Sequence, residues 1–350
     1  KFYRIKYMIK SSKKTEEKNI LKKSRVVVQN GDIDEAEQKI RPSRLNEMIG
    51  RRQEKETIKM MIDSAKKRGE VMDHILFYGP PGLGKTTFAL AIANEIGSSI
   101  KITSGPAIER QGDLAAILTS LKKDDVLFID EIHRLSRVVE EVLYPAMEDR
   151  ALDIVMGKGP SAKTIRLSLE PFTLIGATTQ IGKISPPMRD RFGLIQRLDF
   201  FGDEDMVEIL RRAAKLWEID IDEDALTLLA VISRGTARVG LRLLRRTRDF
   251  AQSKNKKTVN ANVVNDTMKL LGIDDMGLEN IDREILRVIY FNFDGGPVGV
   301  STLAASISEE VSTLLDVHEP YLMKCGLMKR TSRGRVLTSK GIKYVESIWQ

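Results

Sequence analysis

The segment that most constrains this chain is a glycine loop between an apolar run and a helical pattern. Residues Ile75–Tyr78 are apolar and bounded by turn residues, which predicts a buried strand. The loop Gly79–Thr86 reads GPPGLGKT and fits the spacing G-x-x-x-x-G-K-[ST] of a phosphate-binding loop. A helical pattern then runs through Thr86–Ile96 and ends at Gly97, which suits a left-handed helix end. Strand, loop and helix in this order are the context that such a loop requires.

This loop assigns chemistry to individual residues. Gly82 and Gly84 let backbone N–H groups converge on a phosphate at a helix N-terminus. Lys85 can reach the β- and γ-phosphates, and the Thr86 hydroxyl can ligate Mg²⁺. A chance glycine turn is the competing interpretation, and the flanking strand and helix count against it. The sequence therefore predicts a site for Mg²⁺–ATP on Lys85, Thr86 and Thr87.

A second apolar run, Val126–Ile129, ends in two carboxylates, Asp130 and Glu131. Asp130 can hold the water shell of a metal ion, and Glu131 can orient the attacking water. Many strands end in acidic residues, so this pattern gains its weight from the phosphate loop upstream. His133 is expected to be a loop or packing histidine, because Glu131 already fills the role of the base.

Polar groups that could complete the site follow further along the chain. A third apolar strand, Phe172–Ile175, leads to Thr179, whose hydroxyl could touch the γ-phosphate or its water. Arg189 and Arg191 follow a Pro-Pro break, and either could neutralise charge in the site of a neighbouring subunit. Surface salt bridging is the alternative for this arginine pair.

Arg238 stands in the first turn of a predicted helix, with Thr236 as the candidate N-cap. A cation at this position interacts slightly unfavourably with the helix dipole. This cost indicates that Arg238 faces an anion, and a bound nucleotide is the simplest candidate for that anion. The other arginines of the helix are expected to form a solvated or ion-paired face (Arg242, Arg245, Arg246 and Arg248).

The order of patterns predicts three folded domains behind a basic extension. From about residue 41, helices and strands alternate, which indicates a parallel sheet, and residues 152–169 alternate as a hairpin. Beyond about residue 198 the patterns are helical, and the last seventy residues combine three helices with a strand pair, which is typical of a winged helix. The predicted parts are a disordered extension (1–30), a large α/β domain (31–198), a small helical domain (199–272) and a winged-helix domain (273–350).

Net charge says little about nucleic-acid binding here. The formal charge is +8, but residues 1–30 hold ten Lys/Arg and two Glu, so the remaining residues carry equal numbers of basic and acidic groups. Within the last domain, 278–319 holds two basic and eight acidic residues, and 320–350 holds seven basic residues and one acidic. Three arginines lie around the Gly334 turn and could bind DNA phosphates: Arg330, Arg333 and Arg335. The alternative is a solvated run of charges or a wing that contacts another protein.

Cysteine and histidine usage excludes other classes of site. One cysteine cannot form an intramolecular disulfide, and three scattered histidines offer no zinc-ligand spacing. Apolar runs of a few residues are far short of the ~20 needed to cross a bilayer. We therefore expect a soluble protein with no membrane contact in a reducing compartment, the cytoplasm.

Over roughly residues 40–345 the chain resembles the RuvB family, the AAA+ motor ATPases of bacterial Holliday-junction branch migration. Beyond the ATPase motifs, the resemblance includes the runs ITSGPA (102–107), LSRVVEE (135–141) and GPVG (296–299). It implies an AAA+ P-loop NTPase domain, with helices flanking a parallel sheet, a helical lid domain and a winged-helix domain. It also implies a homohexameric ring around duplex DNA, a RuvA-type partner that loads it at four-way junctions, and a RuvC-type resolvase as a further partner.

The resemblance also carries roles to single residues. It implies that Thr179 is the sensor near the γ-phosphate, Arg191 an arginine finger acting on the neighbouring subunit, and Arg238 the second sensor. It assigns the hairpin 152–169 to the RuvA-type partner, where an additional structural edge is the alternative, and Arg330 and Arg335 to DNA. The remaining positions matched to nucleotide-binding or interface segments are Ile40, Arg41, Thr87, Glu148, Asp149, Arg150 and Phe201.

Several positions depart from the family pattern. Ile40 replaces a Leu near the adenine, Phe201 replaces a Tyr, and Ala237 replaces a Pro before the second sensor. Arg150 stands where an aromatic residue is usual, and Gln180 where an Arg is common. None of these changes removes a catalytic group, so the chain is expected to be an active ATPase.

Two functions share this nucleotide site. The first hypothesis is an ATP-driven DNA translocase that drives branch migration in recombination and repair. The alternative is a clamp-loader-like or regulatory AAA+ switch, in which ATP binding assembles a complex and hydrolysis releases it. The two differ in how many ATP molecules are spent per event.

Overall fold

The computed structural model describes residues 26–28, 40–156 and 163–349, which divide into two compact units. The first unit holds the described residues up to Gly79 together with Lys85–Arg197, and the second holds Pro80–Gly84 and the chain from Leu198 onward. Across these described ranges, no helix has the length and apolar content needed to span a membrane.

The first unit is built on a six-stranded parallel sheet in the order β1-β3-β4-β7-β2-β8. A separate antiparallel hairpin is formed by β5 and β6. The strands are β1 (Val26–Val28), β2 (Ile75–Tyr78), β3 (Ile100–Ser104), β4 (Val126–Asp130), β5 (Ala151–Met156), β6 (Lys163–Ser168), β7 (Thr173–Thr178) and β8 (Leu194–Arg197).

The three strands predicted from apolar runs, β2, β4 and β7, lie side by side in the middle of the sheet. They are almost completely buried, as expected of strands covered on both faces. Apolar runs do not predict β3 or β8. Both are only partly buried and carry polar residues, KITS and LIQR, so neither shows a continuous apolar run.

Helices pack around this sheet, and their bounds follow the predicted pattern where one was made. The first unit contains α1 (Arg52–Arg68), α2 (Lys85–Ile96), α3 (Gln111–Thr119), α4 (Arg137–Glu148) and the short α5 (Pro186–Arg189). Helix α2 begins directly at the phosphate-loop lysine and ends at Gly97, which has φ of 87°. The predicted left-handed helix end is therefore confirmed.

The predicted hairpin at 152–169 is present as β5 and β6, paired from Ala151 with Ser168 to Met156 with Lys163. The turn proposed at Gly157–Ser161 lies outside the described residues. On β6, the apolar side chains of Ile165 and Leu167 are 44% and 37% exposed. The hairpin therefore offers apolar surface to solvent.

The described residues of the second unit are helical apart from one hairpin and two isolated bridges, Ile221 with Val259 and Val298 with Arg335. Its helices are α6 (Asp203–Leu216), α7 (Glu223–Ile232), α8 (Ala237–Ser253), α9 (Ala261–Leu271), α10 (Asn280–Phe293), α11 (Val300–Ser306), α12 (Glu319–Lys324) and α13 (Ser339–Trp349). Strands β9 (Met328–Thr331) and β10 (Gly334–Leu337) form the predicted wing. The helix expected over 311–325 is present over residues 311–324, where a π-helical turn at Leu314–His318 separates the first α-helical residues, Val311–Thr313, from α12.

The expected disordered extension falls mainly outside the described residues. The exception is β1, which pairs in parallel with β3 at the edge of the sheet. Three apolar β-branched residues, Val26–Val28, form this strand. They lie in the lysine-rich extension that is expected to be disordered.

Candidate nucleotide and DNA sites

The phosphate loop adopts a backbone that glycine makes possible. Gly79, Gly82 and Gly84 have φ values of 143°, 79° and 92°, which side-chain-bearing residues rarely adopt. Lys85 is only 8% exposed, and its ammonium donates a hydrogen bond to the Gly79 carbonyl at 2.8 Å. Burial and this bond hold the ammonium at the N-terminus of α2, where the backbone also favours an anion.

Two predicted polar side chains and the start of the phosphate loop lie at one edge of the sheet. Strands β4, β7 and β2 are adjacent and parallel, so their carboxyl ends lie together. Asp130 ends β4, Thr179 follows β7, and Gly79 follows β2, where its N–H donates to the Thr178 carbonyl at 3.2 Å. The structure thus brings Asp130, Thr179 and the start of the phosphate loop to the same edge, as predicted.

Glu131 has a left-handed backbone, with φ of 49° and ψ of 40°, which costs a residue with a side chain on the order of 1–3 kcal/mol. Its neighbours hold it there: its N–H donates to Asp130 Oδ1 at 2.9 Å, and its carbonyl accepts from Arg134 N–H at 2.8 Å. A Cβ at Gly105 would collide with the same carbonyl. The surroundings, and not the preference of Glu131, fix the backbone of the predicted catalytic base.

The ring of His133 is buried beside the end of β7. It places Nδ1 2.9 Å from the Thr178 hydroxyl and Nε2 4.0 Å from the Glu131 carboxylate. The Thr178 oxygen also accepts the Gln180 N–H at 2.9 Å. The ring of His133 therefore lies between the end of β7 and the Glu131 carboxylate. The sequence signal was a histidine two residues after Glu131, but its partner Thr178 lies far away in the chain.

Arg191 is fixed at the surface by residues of its own chain. Its guanidinium donates to Glu148 Oε2 at 2.8 Å and to the Pro187 carbonyl at 2.7 Å, and it lies 4.6 Å from the Tyr144 ring centre. Two residues that the resemblance matched separately, Arg191 and Glu148, are thus brought together. The side chain remains 26% exposed, so part of the guanidinium faces solvent.

The residues after Glu148 lead into the hairpin. Asp149 accepts a hydrogen bond from Arg166 of β6 at 2.5 Å, and the Arg150 carbonyl accepts the Leu169 N–H at 2.7 Å. Arg150 is exposed and has φ of 53°. The positions expected near the adenine differ in burial, because Ile40 is buried, whereas Arg41 is half-buried.

In the second unit, the phosphate-loop glycine Gly82 packs against the start of α8. A Cβ at Gly82 would stand 2.9 Å from Arg238 Cβ and 3.5 Å from Thr236 Cβ. Arg238 is exposed, so its side chain leaves the helix at the point where the loop approaches. Thr236 occupies the N-cap position as predicted, but its hydroxyl does not cap the helix and instead donates to Ser233 O at 3.4 Å.

Phe201 lies beside the same helix start. It is buried, and its N–H donates to the Gly235 carbonyl at 2.8 Å. Gly235 has φ of 68°, and a Cβ there would stand 2.9 Å from the Phe201 carbonyl oxygen. Phe201, which is expected near the adenine, therefore packs against the residues that lead into the helix of Arg238, the predicted second sensor.

The three wing arginines do not form one exposed cluster. Arg333 is exposed in the two-residue turn between β9 and β10. Arg335 is 11% exposed at its side chain and forms an ion pair with Glu319, which is 1% exposed; Arg330, 52% exposed, binds the same carboxylate. Arg335 is expected at a DNA-facing tip, but the structure buries its side chain. To reach a DNA phosphate, Arg335 would have to leave its ion pair with Glu319.

Three protein-family models match consecutive parts of the chain. Residues 40–198 match the RuvB P-loop domain of the Holliday junction DNA helicase, 201–274 the RuvB AAA lid domain, and 275–346 the RuvB C-terminal winged helix domain. The chain belongs to the RuvB family. The predicted resemblance and the predicted fold class, a parallel-sheet AAA+ P-loop domain with a lid and a winged helix, are therefore confirmed.

Similar proteins agree with this assignment to the RuvB family. Two are called Holliday junction branch migration complex subunit RuvB. The one from Kosmotoga olearia is 53% identical over 306 residues, 87% of this chain and 90% of the relative. The one from Dehalococcoides mccartyi is 51% identical over 336 residues, covering 96% and 95%. A solved Thermotoga maritima RuvB, described as a Holliday junction branch migration motor, has a TM-score of 0.80 at 46% identity, covering 88% of this chain and 98% of that one.

RuvB proteins are P-loop ATPases that act as branch migration motors. As a member of this family, the chain is an AAA+ ATPase that binds nucleotide. The motor hypothesis is thereby supported, and the clamp-loader-like or regulatory switch is not.

Proposed function

We propose that this chain is the ATP-driven motor that moves the branch point of a Holliday junction along duplex DNA in recombination and repair. The observation that carries this function is the match of all three RuvB domains, in order, across the described chain. The sheet edge that brings together Asp130, Thr179 and Gly79, the first residue of the phosphate loop, supports this function because an ATPase needs such groups beside its phosphates.

We propose that Mg²⁺–ATP binds at the phosphate loop, which is supported by Lys85 bonded to the Gly79 carbonyl at the start of α2. No cluster of three or more His, Cys, Asp or Glu side chains suited to a metal ion occurs in the part of the chain that the structure describes. The proposed protein ligands are Thr86 and Asp130, and Mg²⁺ ordinarily takes its other ligands from phosphates and water. A bound Mg²⁺ would neutralise charge on the β- and γ-phosphates.

The chain's own groups divide the catalytic work. Glu131 would accept a proton from the attacking water, and Thr179 would contact the γ-phosphate. The Glu131 carbonyl leaves no room for a Cβ at Gly105, and the Glu131 carboxylate lies 4.0 Å from His133 Nε2. Lys85 would balance phosphate charge from the loop, and Arg191 would do so from the neighbouring subunit. An arginine finger of this kind contributes about 10³–10⁵ in rate, so hydrolysis would require an assembled ring.

Assembly and partners follow from the same proposal. The working form is a cytoplasmic homohexamer whose domains divide at about residues 198 and 272. The hairpin 152–169 would bind a RuvA-type protein, which is supported by the exposed Ile165 and Leu167. The winged helix would contact duplex DNA through Arg330 and Arg333, which are the exposed wing arginines. A RuvC-type resolvase would act on the same junction.

A synthetic four-way junction tests the function. We expect the full chain with a RuvA-type partner to dissociate the junction into duplexes only with ATP and Mg²⁺, spending many ATP molecules per junction. Glu131→Gln should retain ATP binding and lose dissociation. A turnover that stops after about one ATP per complex would refute a motor and would instead fit a switch.

A further inference from the structure

We propose that helix α12, Glu319–Lys324, couples the nucleotide-facing segment of the second unit to the DNA-binding wing. Its first residue holds the wing arginines, and Tyr321 and Lys324 contact the residues that lead into the second-sensor helix. This inference rests on the proposed binding of ATP and DNA. It assigns a positioning role to residues that touch neither ligand.

Lys324 makes the contact at the end of the helix. Its ammonium lies 4.6 Å from the centre of the Phe200 ring, a cation–π arrangement. A Cβ at Gly235 would collide with the same ammonium. Burial lowers the pKa of Lys324, as expected for an ammonium partly removed from water. The side chain thus rests on Phe200, next to Phe201, and on the glycine three residues before Arg238.

Tyr321 makes the second contact, one turn earlier in α12. Its ring lies 5.2 Å from the Arg234 guanidinium, and its hydroxyl donates to the Met276 carbonyl at 2.6 Å. Arg234 is buried, directly precedes Gly235 and has φ of 58°. It also donates to Gly277 O at 2.8 Å. The backbone that leads into the second sensor is therefore fixed from the side of α12.

A shared carboxylate ties the same segment to the residue before α12. Asp282 of α10 is fully buried and accepts one hydrogen bond from Arg234 at 2.6 Å. His318, the last residue of the π-helical turn, contacts the other Asp282 oxygen at 2.6 Å. Arg234 and His318 cannot shift apart without breaking a buried charged bond, which is costly.

Glu319 makes the contact with the wing. Its buried carboxylate binds Arg335 and Arg330, which face each other across β10 and β9. Glu319 and Lys324 lie five residues apart in a helix, about 7–8 Å along its axis. One short rigid element therefore spans from Phe200 and Gly235 to the wing, so a displacement at one end must be accommodated at the other.

The consequence is a measurable coupling between ligands. If nucleotide on Arg238 shifts the segment Arg234–Arg238, the position of α12 and the wing arginines shifts with it, and DNA affinity changes. Couplings of this kind commonly change affinity by about 5–150-fold, and the change must be the same in both directions. The coupling factor can be read as the ratio of the duplex Kd with ADP to that with a non-hydrolysable ATP analogue.

Lys324→Met tests the role, since Lys324 is solvent-accessible and methionine keeps most of the side-chain length. We expect the full-length variant to bind each ligand alone within about twofold of the unmodified protein, while its coupling factor falls towards one. Lys324→Arg should restore the factor, because arginine keeps the cation over Phe200. Lys343→Met, at an exposed lysine of α13, is the matched control and should leave the factor unchanged.

Phe200→Leu removes the partner ring and gives an independent test. We expect the double variant Phe200→Leu/Lys324→Met to lose no more coupling than either single variant, because both remove one contact. A wild-type factor retained in Lys324→Met, or a factor of one in the unmodified protein, would overturn the role of α12. A protein that bound neither the ATP analogue nor duplex DNA would instead refute the proposed function.

Discussion

The burial difference between the wing arginines predicts that Arg330 and Arg335 have separable effects. Arg335 is buried against Glu319, and breaking a buried ion pair from one side costs about 3–5 kcal/mol. In Arg335→Ala, Arg330 still pairs with Glu319. We therefore expect the free energy of unfolding to fall by about 3 kcal/mol, at the lower end of that range. For a folding unit of 150–250 residues this lowers Tm by roughly 6–12 °C.

Arg330→Ala should behave in the opposite way. Its side chain is 52% exposed, and the buried Glu319 keeps its pair with Arg335 when Arg330 is removed. Tm should therefore fall by less than in Arg335→Ala. If Arg330 binds a phosphate, its loss should flatten the slope of log K against log salt by about 0.9.

Two measurements on each variant check this division: thermal unfolding, and duplex binding by anisotropy over a series of salt concentrations. Duplex binding by Arg335→Ala should be measured well below its Tm. There, the slope of log K against log salt should match that of the unmodified protein. Lys343→Met serves as a control for loss of a surface charge. An unchanged Tm together with a flattened slope in Arg335→Ala would refute the reasoning, because it would make Arg335 a phosphate contact.

Two further predictions follow from the described contacts. Arg191→Ala should reduce DNA-stimulated ATP hydrolysis by about 10³–10⁵ at saturating ATP and leave nucleotide binding intact. Arg189→Ala is the control and should stay near full activity. Full hydrolysis by Arg191→Ala would contradict an arginine finger that acts between subunits. Burial would raise the pKa of Asp282, but the His318 hydrogen bond and the Arg234 charge outweigh it and lower that pKa below its usual 3.8. The ionised Asp282 should therefore stabilise the folded state above about pH 4, and this stabilisation should be lost as the pH falls through the lowered pKa. In acid unfolding followed by circular dichroism, Asp282→Asn should lack the part of the pH dependence that comes from this carboxylate.

Residues that act through local spacing could be predicted from the sequence. The phosphate loop, the buried strands that flank it and the paired carboxylates at Asp130 and Glu131 all follow from short runs of residue types. The wing hairpin and the hairpin at 151–168 were also found, because alternation and turn residues specify both locally. Strands β3 and β8 were missed, because partly exposed strands lack the apolar run that marks a strand within the sheet.

The sequence by itself thus determined the kind of chemistry, a nucleotide site on a parallel sheet followed by a helical lid and a winged helix. Only the tertiary structure decided which charged groups remain available to a ligand. Arg335 and Arg330 are equivalent in the sequence, yet Glu319 buries the first and leaves the second half-exposed. The ring of His133 meets Thr178, which is 45 residues away. Side-chain pairing and burial depend on contacts between segments distant in the chain, and local patterns carry no record of these contacts.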